Sequence, residues 1–175
     1  MDTCIECHPQ IVSSHLQTSH YKTSKLFEFN DVNFPKKNSL NFASGDSIKF
    51  TYENGVFYQE GYRNYINVPY YKKSMDVVLG SGNKGKSFLN WDNNSLFQLQ
   101  GSFVENPGKW INSPGYRSSL SEMRPIIPLC LECHVTYAEP LNPMGNLKKN
   151  IIYGIDCQRC HGAVENHVKH HQENR

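Results

Sequence analysis

The rhythm of polar and apolar positions changes along the chain. After Pro9, the apolar residues Ile11, Val12 and Leu16 recur near helical spacing, and proline suits a first helical turn. Residues 1–28 are therefore expected to be a helical segment. Residues 30–47 are rich in Asn, Ser and Lys, include Pro35, and predict a loop. From residue 47 the period becomes two. Residues 47–52 and 56–60, joined through Asn54-Gly55, predict a hairpin with a tight turn. Residues 75–79 and 87–91 predict a second hairpin around a glycine-rich turn, and 92–94 turns the chain into a further strand over 95–100. Residues 106–128 carry Pro107, Pro114, Pro125 and Pro128, and predict irregular chain apart from a short turn of helix at 119–123. Residues 134–156, with Pro140, Pro143 and Gly145, read as a link, and 163–173 as a short helix. The fold class expected is α+β, an irregular and helical framework interrupted by an antiparallel β-rich insertion over 47–105.

Composition qualifies this picture. A chain of 175 residues is expected to form a single domain over 1–175. Only 38% of residues are hydrophobic, and the mean hydropathy is −0.61, which is poor for a protein core of this size. Aromatic residues are plentiful, with ten Tyr, nine Phe and two Trp. Such a chain is expected to need an apolar cofactor, with aromatic rings packed on its faces, to complete its core. The formal net charge of +2 is not the signature of a nucleic-acid-binding protein. No apolar run approaches the length of a membrane-spanning helix.

The chemistry lies in three copies of Cys-x-x-Cys-His. They are Cys4-Ile-Glu-Cys7-His8, Cys130-Leu-Glu-Cys133-His134 and Cys157-Gln-Arg-Cys160-His161. This is the attachment signature of c-type haem. Two thiols three residues apart reach the vinyl groups on one edge of the porphyrin, and the following histidine turns under the iron. All six cysteines fall in these motifs, so none is left over for a disulfide or a catalytic thiol. A disulfide scaffold needs no histidine after each second cysteine, and nine candidate ligands divide badly into four-coordinate zinc sites. Three covalent haem c groups are therefore expected, with His8, His134 and His161 as proximal iron ligands. Three haems bring about six propionate charges, so the loaded protein is expected to be near neutral or mildly acidic. The motifs divide the domain into a first haem segment at 1–30 and a second and third haem segment at 121–175. The insertion between them contains no cysteine and no histidine. It is expected to act as scaffold, lid or docking surface.

Five histidines remain: His15, His20, His167, His170 and His171. They suffice for bis-histidine ligation of every haem. His20 and His167 are expected as distal ligands, with His15, His170 and His171 as further candidates. His167, His170 and His171 share one helix face and cannot all serve one iron. A six-residue return from His161 to its own iron is difficult, so His167 is expected to serve another haem. Distal methionine from Met75, Met123 or Met144 is the alternative, and it would raise the potential.

Gly80-Ser-Gly-Asn-Lys-Gly85-Lys86-Ser87 matches the pattern of a phosphate-binding loop. Such a loop must open a helix, whose N-terminus holds the phosphates. Residues 87–95 read as strand and turn, so a glycine-rich hairpin turn is expected and nucleotide binding is not.

These residues resemble bacterial multihaem c-type cytochromes of the cytochrome c554-like group, including triheme modules often fused to tetratricopeptide repeats. Cys4-x-x-Cys7-His8-Pro9 with Thr18-Ser-His20 is similar to the family pattern CxxCH-x6-W-x2-S-x-H, whose last histidine is axial. His15 stands at the Trp position, which leaves aromatic packing or ligation open for it. Gly154-Ile-x-Cys157-x-x-Cys160-His161-Gly162 with His167 is similar to the pattern GI-x-C-x-x-CHGPG-x-x-H, again with an axial last histidine. Ala163-Val164 replaces the Pro-Gly pair. The run from Gly80 to Leu89, with Trp110 and Pro114-Gly115-Tyr116, is similar to the β insertion of the fused modules. The resemblance covers nearly the whole chain.

Electron transfer to redox partner proteins, other cytochromes among them, is the expected function. The rival readings are a haem enzyme with one open iron, acting on a small nitrogen or sulfur compound, and a redox- or gas-sensing domain. Haem attachment of this kind takes place outside the cytoplasm, so a periplasmic or extracellular location is expected. No signal peptide stands at the start of the sequence. Met1 is therefore expected to mark a mature or excised boundary, and the parent chain is expected to continue past Arg175 with further domains.

Overall fold

The structure is a computed structural model that describes residues 2–32, 38–142, 147 and 149–174. Met1, Pro35, Pro143, Met144, Gly145 and Arg175, named above, lie outside the described residues.

The chain opens with two short helices, α1 (Asp2–Ile5) and α2 (Pro9–Leu16). Pro9 sits in the first turn of α2, where its missing N–H costs no hydrogen bond, and Val12 is the residue the helix buries. The expected helical segment stops there. Tyr21–Thr23 form a single 3-10 turn, and Ser24–Leu26 form strand β1. The expected loop at 30–47 also holds regular structure, a second 3-10 turn at Phe29–Asp31 and strand β2 (Ser39–Asn41).

Strands β3 (Ser47–Glu53) and β4 (Val56–Tyr62) form the expected hairpin. Asn54 and Gly55 both adopt positive φ, 50° and 84°, between the paired residues Glu53 and Val56. That geometry matches the twist of the strands and explains why Asn-Gly is found there. Strand β5 (Tyr71–Ser74) completes a four-stranded antiparallel sheet in the order β2-β3-β4-β5.

A larger antiparallel sheet follows. Strands β6 (Val77–Leu79), β7 (Lys86–Asp92) and β8 (Ser95–Val104) are consecutive neighbours. The phosphate-loop-like run is the turn between β6 and β7, with Gly80 at φ 115° and Gly82 at φ 88°, and it leads into a strand rather than a helix. Residues 106–128 depart from the irregular chain expected. Strand β9 (Lys109–Asn112) folds back on β8, and β10 (Arg124–Ile126) pairs with the other end of β8. The expected helical turn at 119–123 does not form. Its backbone bonds instead to the buried side chain of Gln100, which donates to the Ser119 carbonyl at 2.7 Å and accepts the Ser121 N–H at 2.9 Å. Leu120 is drawn into the core between these two contacts. A side chain that satisfies the backbone from outside removes the need for a helix. With β1 on β6, the sheet order is β1-β6-β7-β8-β10, so the β region extends on both sides of 47–105.

The larger sheet is covered on both faces. Val78, Phe88 and Leu99 point to a core shared with Ile48, Phe50 and Phe57 of the smaller sheet and with Trp110. Val77, Leu89 and Leu96 point the other way, to Leu131, Val135, Leu147 and Ile151. The switch between neighbours such as Val77 and Val78 follows from the two-residue period of a strand. Aromatic residues pack on one another in the first of these cores. Phe50 stacks on Trp110 with ring centroids 3.4 Å apart.

The second core carries the cysteine-rich end of the chain. It comprises α3 (Pro128–Leu131), the paired strands β11 (Val135–Tyr137) and β12 (Ile152–Tyr153), α4 (Cys157–His161) and α5 (Glu165–Glu173). The expected helix at 163–173 is thus present, and the link at 134–156 contains a short antiparallel pair. The fold class is α+β.

Candidate functional site

Each Cys-x-x-Cys-His motif lies on a helical turn. In α4 the Asp156 side chain accepts the Cys157 N–H at 2.5 Å and caps the helix, which ends at Gly162 with φ 72°. In the first motif the His8 N–H donates to the Cys4 carbonyl at 2.8 Å. In the second the His134 N–H donates to the Leu131 carbonyl at 2.8 Å. Helical winding puts positions i and i+3 on one side, so both thiols of a motif face the same way. All six thiols are free of disulfides. Burial, followed by the neighbouring Asp156 carboxylate, raises the Cys157 thiol above its ordinary pKa.

A cavity of about 700 Å³ opens between the first and third motifs. Cys4, Cys7, His8 and Val12 line one side, and Cys157, His161, His167 and His171 the other. Across it the rings of His8 and His167 lie nearly parallel, 21° apart, with centroids separated by 6.4 Å. His8 and His167 are the residues that would hold the iron of a haem in this cavity, and their separation leaves room for a metal ion between the rings. The volume is that of a cofactor site. Paired thiols beside two facing imidazoles are the donor set of haem c, and the residues present fit that group.

The second motif is reached through residues 20–24. The Thr23 hydroxyl lies 2.8 Å from Nδ1 of His134, and the Ser24 hydroxyl donates to the His134 carbonyl at 2.5 Å. Ser24 Oγ also accepts the Gly154 N–H at 2.8 Å, and the His20 carbonyl accepts the Ile155 N–H at 3.0 Å. His15 Nε2 lies 2.8 Å from the Ile155 carbonyl. The second and third motifs are further joined by Thr136, whose hydroxyl donates to the Gly154 carbonyl at 2.8 Å and accepts the Asp156 N–H at 2.7 Å. Arg159 donates to the Glu132 carbonyl at 3.1 Å.

The sequence-derived residues are thus placed as follows. His8 of the first motif and His167, which follows the third, lie across the cavity from each other. His171 shares their cavity, 4.7 Å from His167 by ring centroids, and His170 lies 5.1 Å from His171. His20 is exposed at the junction with the third motif, while the ring of His15 is engaged by a backbone carbonyl. Met75 is buried in the core between the sheets and Met123 packs against the same core. Thr23, Ser24 and Thr136 were not marked by any sequence signal, since a lone hydroxyl residue carries no pattern of its own.

In two comparisons with known proteins the chain is similar to multihaem c-type cytochromes. Residues 90–162, which include the second and third motifs, match the family described as "Cytochrome c554 and c-prime". The fold is similar to that in the crystal structure of outer cell wall cytochrome OcwA, with a TM-score of 0.58 and 19% sequence identity. That match covers 100% of this chain, which spans 33% of the length of the OcwA chain. No curated protein matches the chain. No helix among the described residues is long and apolar enough to cross a membrane.

Proposed function

We propose that the chain carries three covalent haem c groups and relays electrons between redox partner proteins. Cys4 and Cys7, Cys130 and Cys133, and Cys157 and Cys160 form the thioether links, and His8, His134 and His161 bind iron from the proximal side. His167 is the second axial ligand of the haem attached at Cys4 and Cys7. His20 is the distal ligand of one of the other two. Haem supplies the one-electron chemistry. The protein supplies the axial imidazoles, the spacing between sites and the exclusion of other ligands. Two histidines leave the iron no open position and favour low potentials relative to a Met/His pair. The facing of His8 and His167, 6.4 Å apart across the cavity, is the observation that carries this reading. The motifs and the likeness to a cell-wall cytochrome support a location outside the cytoplasm, in a parent protein with further domains.

Intact mass of the purified holoprotein tests the haem number, with three additions expected. Electron paramagnetic resonance tests the ligation, with low-spin haem throughout, insensitive to carbon monoxide and nitrite. His167→Met should change the signal of one haem. A high-spin fraction that binds those ligands would replace the relay with the enzyme or gas-sensor reading.

A further inference from the structure

We propose that Thr23 is a positioning residue for the second haem: its hydroxyl oxygen accepts the Nδ1–H of His134, fixes the tautomer and plane of that ring, and strengthens it as an iron ligand. The inference rests on His134 being an axial ligand, as proposed above.

A neutral imidazole that binds a metal through Nε2 carries its proton on Nδ1. That proton needs an acceptor. Thr23 Oγ1 stands 2.8 Å from Nδ1, and both residues are half-buried. The next residue holds the backbone of the same histidine, because the Ser24 hydroxyl donates to the His134 carbonyl at 2.5 Å. Ring and main chain are thus gripped by two consecutive residues.

Such a grip orients a ligand only if it is itself fixed. The Thr23 carbonyl accepts the Gly80 N–H at 2.7 Å, and the Thr23 N–H donates to the His20 carbonyl at 3.2 Å. Ser24, only 3% exposed, is in register with Leu79 at the end of β6. Gly80 holds φ 115°, a conformation that suits glycine, and a Cβ there would run into the Gly85 carbonyl. The glycine-rich turn that imitates a phosphate loop therefore has a different use. Its first amide anchors the residue that orients His134, and through it the insertion reaches the redox site.

An acceptor on Nδ1–H raises the basicity of the ligating nitrogen. A more basic ligand favours ferric iron and lowers the potential of that haem. Removing the acceptor should raise the potential of one haem and leave the other two unchanged.

The test uses the full holoprotein, read by electron paramagnetic resonance and by spectroelectrochemical titration. His134→Ala first identifies the signal and titration step of the haem at Cys130 and Cys133. If no low-spin signal is lost, the ligand reading fails and this inference with it. Thr23→Val should then move the g-values of that signal alone and shift its midpoint potential upward, while Thr23→Ser keeps the wild-type values. Thr23→Ala removes the hydroxyl without a new buried methyl, and serves if the valine variant does not accumulate. An unchanged signal in Thr23→Val or Thr23→Ala, or an equal shift in Thr23→Ser, overturns the role of the hydroxyl and leaves His134 as ligand.

Discussion

The ring of His15 is joined to the carbonyl of Ile155 across 140 positions of sequence, Nε2 to oxygen at 2.8 Å. This bond ties α2, which follows the first motif, to Ile155, two residues ahead of the third. A histidine so placed serves the packing of two motif-bearing segments. The expected result of His15→Phe is a holoprotein that keeps all its haem low-spin but loses about 1 kcal/mol of stability with the hydrogen bond. Thermal melts and paramagnetic resonance on the same sample check both halves. A high-spin haem in this variant would make His15 a ligand.

Gly154 lies where the third segment passes under residues 20–24. It adopts φ 71°, and a Cβ would press on the backbone carbonyl of Tyr21. The conformation alone costs a side chain roughly 1–2 kcal/mol, and the clash adds to it. Gly154→Ala is expected to displace the third motif and to yield holoprotein with fewer than three haems. Intact mass gives the count directly.

Gln59 joins the two sheets from a fully buried position. Its side chain donates to the Gly101 carbonyl at 2.8 Å and accepts the Gly101 N–H at 2.9 Å. Gln59→Leu leaves both backbone groups without their side-chain partner, and should cost about 3 kcal/mol. Urea denaturation followed by far-ultraviolet circular dichroism reads this loss.

Glu60 is held by three donors. Burial works to raise its pKa, but hydrogen bonds from Tyr62, Lys72 and Thr51 outweigh it, and the net shift is downward. A carboxylate with a lowered folded-state pKa contributes stability above its unfolded value. That contribution disappears as the pH falls through the folded value. The sheet region should therefore weaken on acidification below about pH 4.3, the ordinary glutamate value. Glu60→Gln should lower stability at neutral pH and flatten this dependence. Urea midpoints over a pH series will show it.

Much of this molecule is legible without coordinates. The β3–β4 hairpin follows from Asn54-Gly55 and a two-residue period, both local signals. The thiol motifs are legible because attachment chemistry demands a fixed spacing. Residues 119–123 are not, because their conformation depends on Gln100, a side chain some twenty residues earlier. Strand β1 is three residues long and takes its meaning from β6. The facing of His8 and His167 is likewise hidden, since histidine spacing says which rings share a helix face but not what stands opposite them.

The pairing of Ser24 with Leu79 acts as a ruler for the second and third motifs. A slip of one residue would carry Thr23 about 3.3 Å along the sheet and turn its side chain to the opposite face. His134 and Gly154 would lose their anchors together. Electron hopping is steeply sensitive to distance, so in the relay proposed above the register of strands that contribute no ligand would help to set the rate between cofactors. In that relay, a substitution in the β region, far from any cysteine or histidine, would act on the timing of electron flow as well as on folding.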